Sequence, residues 1–379
     1  MLYRPEAFER LTGTPWDEAR VRDGIRGIVG DAGAAWRGPK LFWKADTWDR
    51  WQSTSPLKNL YVGSAGMLWG LDQLTRRGYA ETSLDLAELA ALNVELFRAK
   101  PDYVKIRAFR PPEPRDSSLF LGEAGILLVA CKLGNLQYEN DLRRRIAANV
   151  DNEAEEVFWG APGSLLAAAA IGDEPSWKLL ADALLRRRAG NGLWTQRLYG
   201  QEYQSLTPPH GLVGIVQALG SERVKEDARS VLRDAAHHEG RLANWPPRPR
   251  PDLAGPDGEI RLQWCAGAPG IVIGAADYLD EDLLLAGGEL VWQAGPHGDE
   301  KGPSICHGTA GNGYALLKAF ERTGDELWLE RARAFAVHAL EQAERMPSRY
   351  SLFTGGLGAA VFAADCVDAR PRFPVIDTI

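Results

Sequence analysis

A glycine pair of the form Gly-x-x-Gly, followed each time by an apolar run, recurs seven times in this chain and constrains its fold more than any other feature. The first glycines of the seven pairs, which lie 38 to 59 residues apart, are Gly63, Gly122, Gly160, Gly211, Gly267, Gly308 and Gly355. Recurrence at such a period is typical of folds that stack one supersecondary unit repeatedly. The chain of 379 residues is therefore interpreted as a series of like units.

The stretches between the glycine pairs carry apolar residues at three- and four-residue spacing, which predicts helices with one buried face. These amphipathic stretches are 83–100, 174–190, 223–238 and 325–346, with weaker examples at 16–29, 141–155 and 281–293. The runs that follow the glycines are apolar nearly all round, so we expect them to be buried helices. The amphipathic helices would then cover them, and strand-like alternation is scarce.

Seven buried and seven covering helices can stack as an open solenoid or close into a ring. Neither end carries a polar capping repeat, which favours closure. We predict an all-α, double-layered α/α toroid of seven inner and seven outer helices. It would form a single domain over 1–379, with 1–50 as an N-terminal helix and lead-in. The glycine turns would lie at one end of the inner ring, where glycine permits positive φ and close packing.

Five longer irregular stretches are candidates to cover the end of the ring where the glycine turns meet, which we call the mouth. They are 35–60, 101–119, 193–209, 241–264 and 294–305.

Charge and hydropathy narrow the function classes. The net charge is −7, with both signs mixed throughout and no basic tract, so we do not expect nucleic-acid binding. No apolar run approaches the ~20 residues of a membrane span. The first residues lack the layout of a signal peptide, so a cytoplasmic location is predicted.

Four cysteines are too few for a disulfide framework. Cys131 and Cys366 lie in apolar helical runs, where a buried thiol is expected.

The other two cysteines occupy equivalent positions in neighbouring repeats. Cys265 and Cys306 each lie two residues before the first glycine of a pair, and His307 and His210 each lie one residue before. In a toroid these side chains meet at the mouth. Two thiolates and one imidazole form a Zn²⁺ ligand set that leaves a fourth position open. We predict one Zn²⁺ per chain on Cys265, Cys306 and His307, with His210 as a fourth ligand, a proton donor or a packed histidine.

An open zinc site can activate water or hold a substrate thiol as its thiolate. Two cysteine ligands already donate strongly to the ion and lower its Lewis acidity, which suits a thiolate nucleophile better than hydroxide.

Three motifs, "HGLVGI", "WCAGAPG" and "CHGTAGNGYALLKAF", follow one another in that order over the glycine repeat. With these motifs the chain resembles the lanthionine synthetase C-like (LanC-like) family from about residue 55 to the end. The C-terminal stretch "YSLFTGGLGAAVFAADCVDARPRFPVID" resembles the eukaryotic-type, glutathione-binding branch more than a typical lantibiotic cyclase.

The resemblance implies zinc on Cys265, Cys306 and His307. It implies addition of a cysteine thiol to a dehydroalanine or dehydrobutyrine in a peptide or protein, which forms a lanthionine-type thioether. The thiol belongs to the same peptide in the cyclases and to glutathione in the eukaryotic-type branch. His210 matches the family histidine that supplies the proton, and Glu156 is the candidate for an acidic residue before the third glycine pair, although a solvated glutamate is an alternative interpretation.

The family's glutathione site uses cations near the zinc. Lys301 falls on a matching position, and Arg345 or Arg349 is a candidate before the seventh pair; a solvated surface charge is the alternative for each. Ala266 stands where the family often has histidine or tyrosine, which argues against an ordinary lanthionine cyclase but not against zinc binding. No dehydratase domain is evident, so a separate dehydratase or chemical elimination must supply the dehydroamino acid.

Two other classes are compatible with the pattern. The chain can be a zinc- and glutathione-binding or regulatory protein without turnover. Other α/α-toroid enzymes fit less well, because zinc prenyltransferases need an aspartate ligand and a second subunit, and glycosidases need paired carboxylates.

Overall fold

The computed structural model describes residues 1–49, 56–103, 113–249, 259–346 and 349–379. Within these ranges the chain forms fourteen α-helices and two short β-hairpins. The helices are α1 (Glu18–Ala34), α2 (Ser64–Arg76), α3 (Leu86–Ala99), α4 (Glu123–Lys132), α5 (Glu139–Ala148), α6 (Ala161–Ala170), α7 (Glu174–Arg187), α8 (Leu212–Leu219), α9 (Glu222–Ala235), α10 (Ala268–Gly274), α11 (Glu281–Ala294), α12 (Thr309–Thr323), α13 (Glu326–Arg345) and α14 (Gly356–Asp368).

The inner layer consists of the seven helices that begin directly after the first glycine of each pair. These are the even-numbered helices, and each packs on the next around the ring. The ring is closed, because α14 contacts α2. Two of these inner helices, α4 and α10, bury almost every side chain, as all-round apolar helices must. The predicted double-layered toroid is confirmed.

The outer layer consists of the odd-numbered helices, and all seven correspond to the predicted amphipathic stretches. Each packs on at least one inner helix, with α1 lying on α14 and α13. Aspartate caps explain where four of them begin, since a side-chain oxygen accepts a hydrogen bond from a backbone N–H of the first turn. The capping residues of α1, α3, α7 and α13 are Asp17, Asp85, Asp173 and Asp325. No helix in the described ranges has the length and apolar character to cross a membrane.

Two β-hairpins depart from the expected irregular and helical segments. The first pairs β1 (Gln196–Leu198) with β2 (Gln201–Tyr203), and the second pairs β3 (His237–Glu239) with β4 (Leu242–Asn244). The amphipathic stretch predicted over 223–238 therefore ends as a helix at Ala235. Strands of three residues are too short to show alternation. Their two-residue turns instead depend on positive φ, as at Tyr199 and Gly200.

Close packing, rather than backbone conformation, explains the second glycine of each pair. A Cβ at that position would lie 1.8 to 2.3 Å from the carbonyl oxygen six residues earlier, in all seven repeats. Only an absent side chain allows the inner helix to lie so close to its own incoming turn. The expected positive φ occurs at just one of the glycines in the pairs, Gly267, where φ is 109°.

A single added methyl group tests this close approach. We expect Gly125→Ala to lower the free energy of unfolding by about 2–3 kcal/mol, because its Cβ would lie 1.8 Å from the Leu119 carbonyl oxygen. Gly27→Ala is the control, since Gly27 lies on the exposed side of α1 with nothing within 4 Å of an added Cβ. That change should stabilise the protein by about 0.5–1 kcal/mol. Urea denaturation compares the two variants, and equal midpoints would contradict the packing explanation.

A ring of main-chain hydrogen bonds joins neighbouring repeats at the mouth. It runs through the residues two positions before each first glycine, here called the −2 residues: Tyr61, Phe120, Phe158, Pro209, Cys265, Cys306 and Phe353. The N–H of one −2 residue donates to the carbonyl of the next in five steps, Cys265 to Cys306, Cys306 to Phe353, Phe353 to Tyr61, Tyr61 to Phe120 and Phe120 to Phe158, at 2.9 to 3.5 Å. The step from Phe353 to Tyr61 joins the seventh repeat to the first.

The ring is interrupted at Pro209. Proline has no N–H, so it cannot donate to the following turn. It still accepts a bond, from the N–H of Val157 at 3.0 Å.

The C-terminal tail fills the centre of the toroid beneath the mouth. Phe373 is fully buried there and stacks on Trp264, with ring centroids 4.8 Å apart. Trp264 also contacts Phe353 at 5.7 Å. Aromatic packing of this kind gives the residues at the mouth a rigid floor.

Candidate active site

Three potential metal ligands meet at the mouth. The ligand atoms of Cys265, Cys306 and His307 all lie within 4.8 Å of one another. The hydrogen bond between the main chains of Cys265 and Cys306 explains this proximity, because it sets the two turns side by side. Two sulfurs and an imidazole nitrogen suit a transition metal ion that prefers soft and borderline ligands.

Each sulfur accepts a hydrogen bond from a neutral donor. The Tyr61 hydroxyl lies 3.0 Å from the Cys306 sulfur, and the Gln263 amide nitrogen lies 2.8 Å from the Cys265 sulfur. Such donors stabilise sulfur in its anionic form and hold ligand side chains in place. Tyr61 comes from the first repeat, so closure of the ring brings it to a cysteine 245 residues later.

The two thiols share charge unequally. A hydrogen bond from Cys306, together with the nearby His307 ring, holds the pKa of Cys265 well below its usual value. Burial and the neighbouring Cys265 sulfur raise the pKa of Cys306 well above its usual value.

His210 lies outside this cluster and pairs with a buried carboxylate. Its Nδ1 is 2.7 Å from Oε2 of Glu156, whose side chain is fully buried. Glu156 is thus not the solvated glutamate of the alternative interpretation. The Nε2 atom of His210 has no hydrogen-bond partner in the described part of the chain, and the ring is partly exposed.

The turn geometry explains why a glutamate is buried at this position. Four residues before each first glycine the chain carries a polar side chain: Asn59, Ser118, Glu156, Thr207, Gln263, Ser304 and Ser351. In five of the seven turns that side chain accepts a hydrogen bond from the backbone N–H three residues later. In Glu156, Oε1 accepts this hydrogen bond from the Trp159 N–H. The second carboxylate oxygen, Oε2, is therefore free of the turn and contacts His210.

Aromatic contacts connect the cysteine cluster to the His210–Glu156 pair. The ring of Phe158 lies 5.1 Å from the His210 ring and 4.8 Å from the Tyr61 ring. Tyr61 in turn contacts Cys306. The candidate nucleophile site and the candidate proton donor therefore share one rigid, apolar wall.

Two of the stretches that were predicted to be irregular, 35–60 and 193–209, contribute side chains that cover part of the mouth. The indole of Trp48 meets the His307 ring edge-on at 5.1 Å. On the other side, the Tyr199 hydroxyl at the tip of the β1–β2 hairpin accepts a hydrogen bond from the Trp159 indole at 2.8 Å. Part of the candidate cover at 35–60, 101–119 and 241–264 lies outside the described residues.

The three candidate cations do not lie together. Lys301 and Arg349 both flank the Trp48 ring beside His307. Arg345 instead pairs with Glu9 and Asp299, at 2.5 and 3.0 Å. Within the part of the chain that the structure describes, the contacts of Arg345 do not reach the cluster, whereas Lys301 and Arg349 lie on the ring that contacts His307.

Fold and site together define a class: an α/α toroid with a cysteine–cysteine–histidine cluster at its mouth, beside a partly exposed histidine that is paired with a buried glutamate. The chain belongs to the lanthionine synthetase C-like family, which it matches over residues 55–378. The family resemblance drawn from the sequence is thereby confirmed.

The chain is similar in sequence to two known proteins and in fold to one solved structure. The chain is 31% identical over 200 residues to glutathione S-transferase LANCL1 of Danio rerio, a match that covers 47% of each protein. It is 31% identical over 130 residues to the LanC-like protein GCL1 of Arabidopsis thaliana, covering 30% of this chain and 29% of that protein. The matches thus span about half or less of the curated relatives. The solved structure of nisin cyclase shares the fold, with a TM-score of 0.62 at 14% identity, over 94% of this chain and 97% of the other.

Proposed function

We propose that this protein catalyses the zinc-dependent addition of a thiol to a dehydroalanine or dehydrobutyrine residue of a peptide or protein, forming a thioether. The observation that carries the proposal is the cysteine–cysteine–histidine cluster sharing one wall with a buried Glu156–His210 pair. A thiol addition needs a stabilised thiolate and a proton donor, and these two groups fit those needs.

The cluster fits one Zn²⁺ by its chemistry. Two sulfurs and an imidazole are a ligand set of catalytic zinc sites, and Nδ1 of His307 is buried with no hydrogen-bond partner among the described residues. Cys265, Cys306 and His307 would hold the ion. When bound, zinc supplies a Lewis acid that keeps an incoming thiol in its thiolate form at neutral pH. Tyr61 and Gln263 would fix the two sulfurs.

His210 would donate the proton that the α-carbon needs, and Glu156 would orient His210. The substrate sulfur adds to the β-carbon of the unsaturated residue, and the electrons of the double bond move towards the carbonyl oxygen. A proton from Nε2 of His210 then goes to the α-carbon, and the proton released by the thiol replaces it on Nε2. Glu156 holds Nδ1 at 2.7 Å, which orients the ring so that Nε2 faces away from the carboxylate.

Glutathione is the thiol that the surroundings favour. Lys301 and Arg349 lie beside His307 and present positive charge where the carboxylates of a cysteine peptide would lie. A relative named as a glutathione S-transferase supports the same choice. A cysteine of the substrate peptide is the second candidate. The dehydroamino acid would come from a separate dehydratase or from chemical elimination.

A direct assay tests the proposal. Zinc-loaded protein is mixed with glutathione and a short peptide containing dehydroalanine, and the products are followed by mass spectrometry. We expect adduct formation well above the rate without protein, loss of that excess after metal chelation, and its return on adding zinc. Adduct formation at the background rate in the presence of bound zinc would contradict catalysis.

That last result would favour the alternative, a zinc- and glutathione-binding protein without turnover. Such a protein has no need for the buried Glu156–His210 pair, which is why we favour the enzyme.

A further inference from the structure

A short segment ahead of the first glycine pair is fixed to the mouth. This strap, residues 46–49, precedes residue 55, where the family match begins. Asp49 is 1% exposed and accepts a hydrogen bond from the Thr354 hydroxyl at 2.8 Å. Thr354 lies directly before the seventh glycine pair. The Trp48 N–H donates to the Asp46 carboxylate at 2.7 Å, which sets the direction of the Trp48 backbone.

Trp48 contacts three residues of the site at once. Its ring meets His307 edge-on at 5.1 Å. The Lys301 ammonium lies 5.7 Å and the Arg349 guanidinium 5.4 Å from the ring centroid. Trp48 is nonetheless 38% exposed, so part of it remains open to solvent beside His307.

We propose that Trp48 is a positioning residue that makes the site prefer thiols carrying carboxylates, because its ring holds Lys301 and Arg349 beside His307. The inference rests on the proposed thiol-binding function. It assigns a role to a residue outside the glycine repeat and outside the matched part of the chain.

Attraction between a cation and an aromatic face restricts the long, flexible side chains of lysine and arginine. A cation that is already held in place loses less conformational freedom when a carboxylate binds. Both cations have acidic neighbours, Glu300 at 3.0 Å from Lys301 and Asp46 at 3.9 Å from Arg349. Glu300 is 83% exposed, and an ion pair so open to water is weak, so a substrate carboxylate can compete for Lys301.

The geometry also accounts for the selectivity. With the sulfur of a thiol at the cysteine–histidine cluster, the carboxylates of a peptide thiol extend to Lys301 and Arg349. A small neutral thiol reaches the cluster but gains nothing from the cations. Removal of the ring should therefore weaken binding of the anionic thiol alone.

Steady-state kinetics of the zinc-loaded protein with glutathione and with 2-mercaptoethanol test the inference. For Trp48→Ala we expect the KM for glutathione to rise about tenfold, with kcat and the KM for 2-mercaptoethanol changed by less than about twofold. Trp48→Phe keeps an aromatic face and should restore most of the glutathione KM. Trp177→Ala, a half-buried tryptophan on α7, is the control and should change neither KM.

Equal increases in KM for both thiols would reduce Trp48 to a structural residue, and unchanged KM values would show that the ring does not position the cations. Either outcome overturns the inference. If the wild-type protein forms no adduct, the proposed function fails while Trp48 is still judged by calorimetric binding of glutathione to the zinc-loaded protein. Loss of about tenfold in that affinity in Trp48→Ala would support the role, and equal affinity or no binding to either protein would overturn it.

Discussion

Replacement of Cys306 by alanine is expected to remove both the metal and the activity. Zinc content should fall from about one ion per chain to below about one tenth, because an open site with three protein ligands does not tolerate the loss of one. Thiol addition should fall to the rate without protein. Metal analysis after gel filtration and the mass-spectrometric assay measure the two effects on the same sample.

Cys366→Ala is the matched control for this prediction. Cys366 is also a fully buried cysteine, but it lies within α14 and burial raises its pKa, as expected of an inert structural thiol. This variant should keep its zinc and its activity. Full zinc occupancy in Cys306→Ala would mean that the ion is bound elsewhere and that the cluster has another role.

Glu156→Gln should separate proton transfer from metal binding. We expect kcat to fall about 10²–10³-fold, because a neutral amide does not orient the His210 ring in the same way as the carboxylate does. Zinc content and the KM for glutathione should stay within about twofold of the wild-type values, since Glu156 contacts neither the cluster nor the cations. Steady-state kinetics and metal analysis give all three quantities.

Glu155→Gln applies the same substitution to the adjacent residue. Glu155 is also buried, which raises its pKa to about 7, but it pairs with Arg187 of α7 rather than with His210. This variant should keep kcat within about threefold. A comparable fall in kcat for both variants would attribute the effect to a general disturbance of the turn.

The repeat made the fold and the cysteine cluster predictable. Because every inner helix begins at the same point of the glycine motif, residues at equal offsets from it must lie at equal depth in the ring. That rule brought Cys265 and Cys306 together before any coordinates were considered. The repeat carried two further signals that the sequence analysis missed: Tyr61 shares the −2 position with both cysteines, and the fourth residue before the first glycine of each pair is always polar.

Glu156 shows why a local pattern can be ambiguous. In the acidic stretch "DNEAEE" it resembles a surface residue, and only its place in the turn requires burial. The choice between Arg345 and Arg349 was harder still, since a spacing that differs by one residue changes which side of a turn a side chain occupies. The role of Trp48 could not be predicted from the repeat. The strap precedes the first glycine pair, so no other repeat has an equivalent residue with which Trp48 can be compared.

Closure of the hydrogen-bonded ring has a consequence for biogenesis. The Tyr61 hydroxyl that steadies the Cys306 sulfur reaches it only when the first and seventh turns are joined through Phe353. A chain still attached to the ribosome, with its final turn inside the exit tunnel, has both cysteines but not the finished cage around them. On the proposed function, we expect stable zinc loading only after the seventh turn has left the ribosome and joined the first turn.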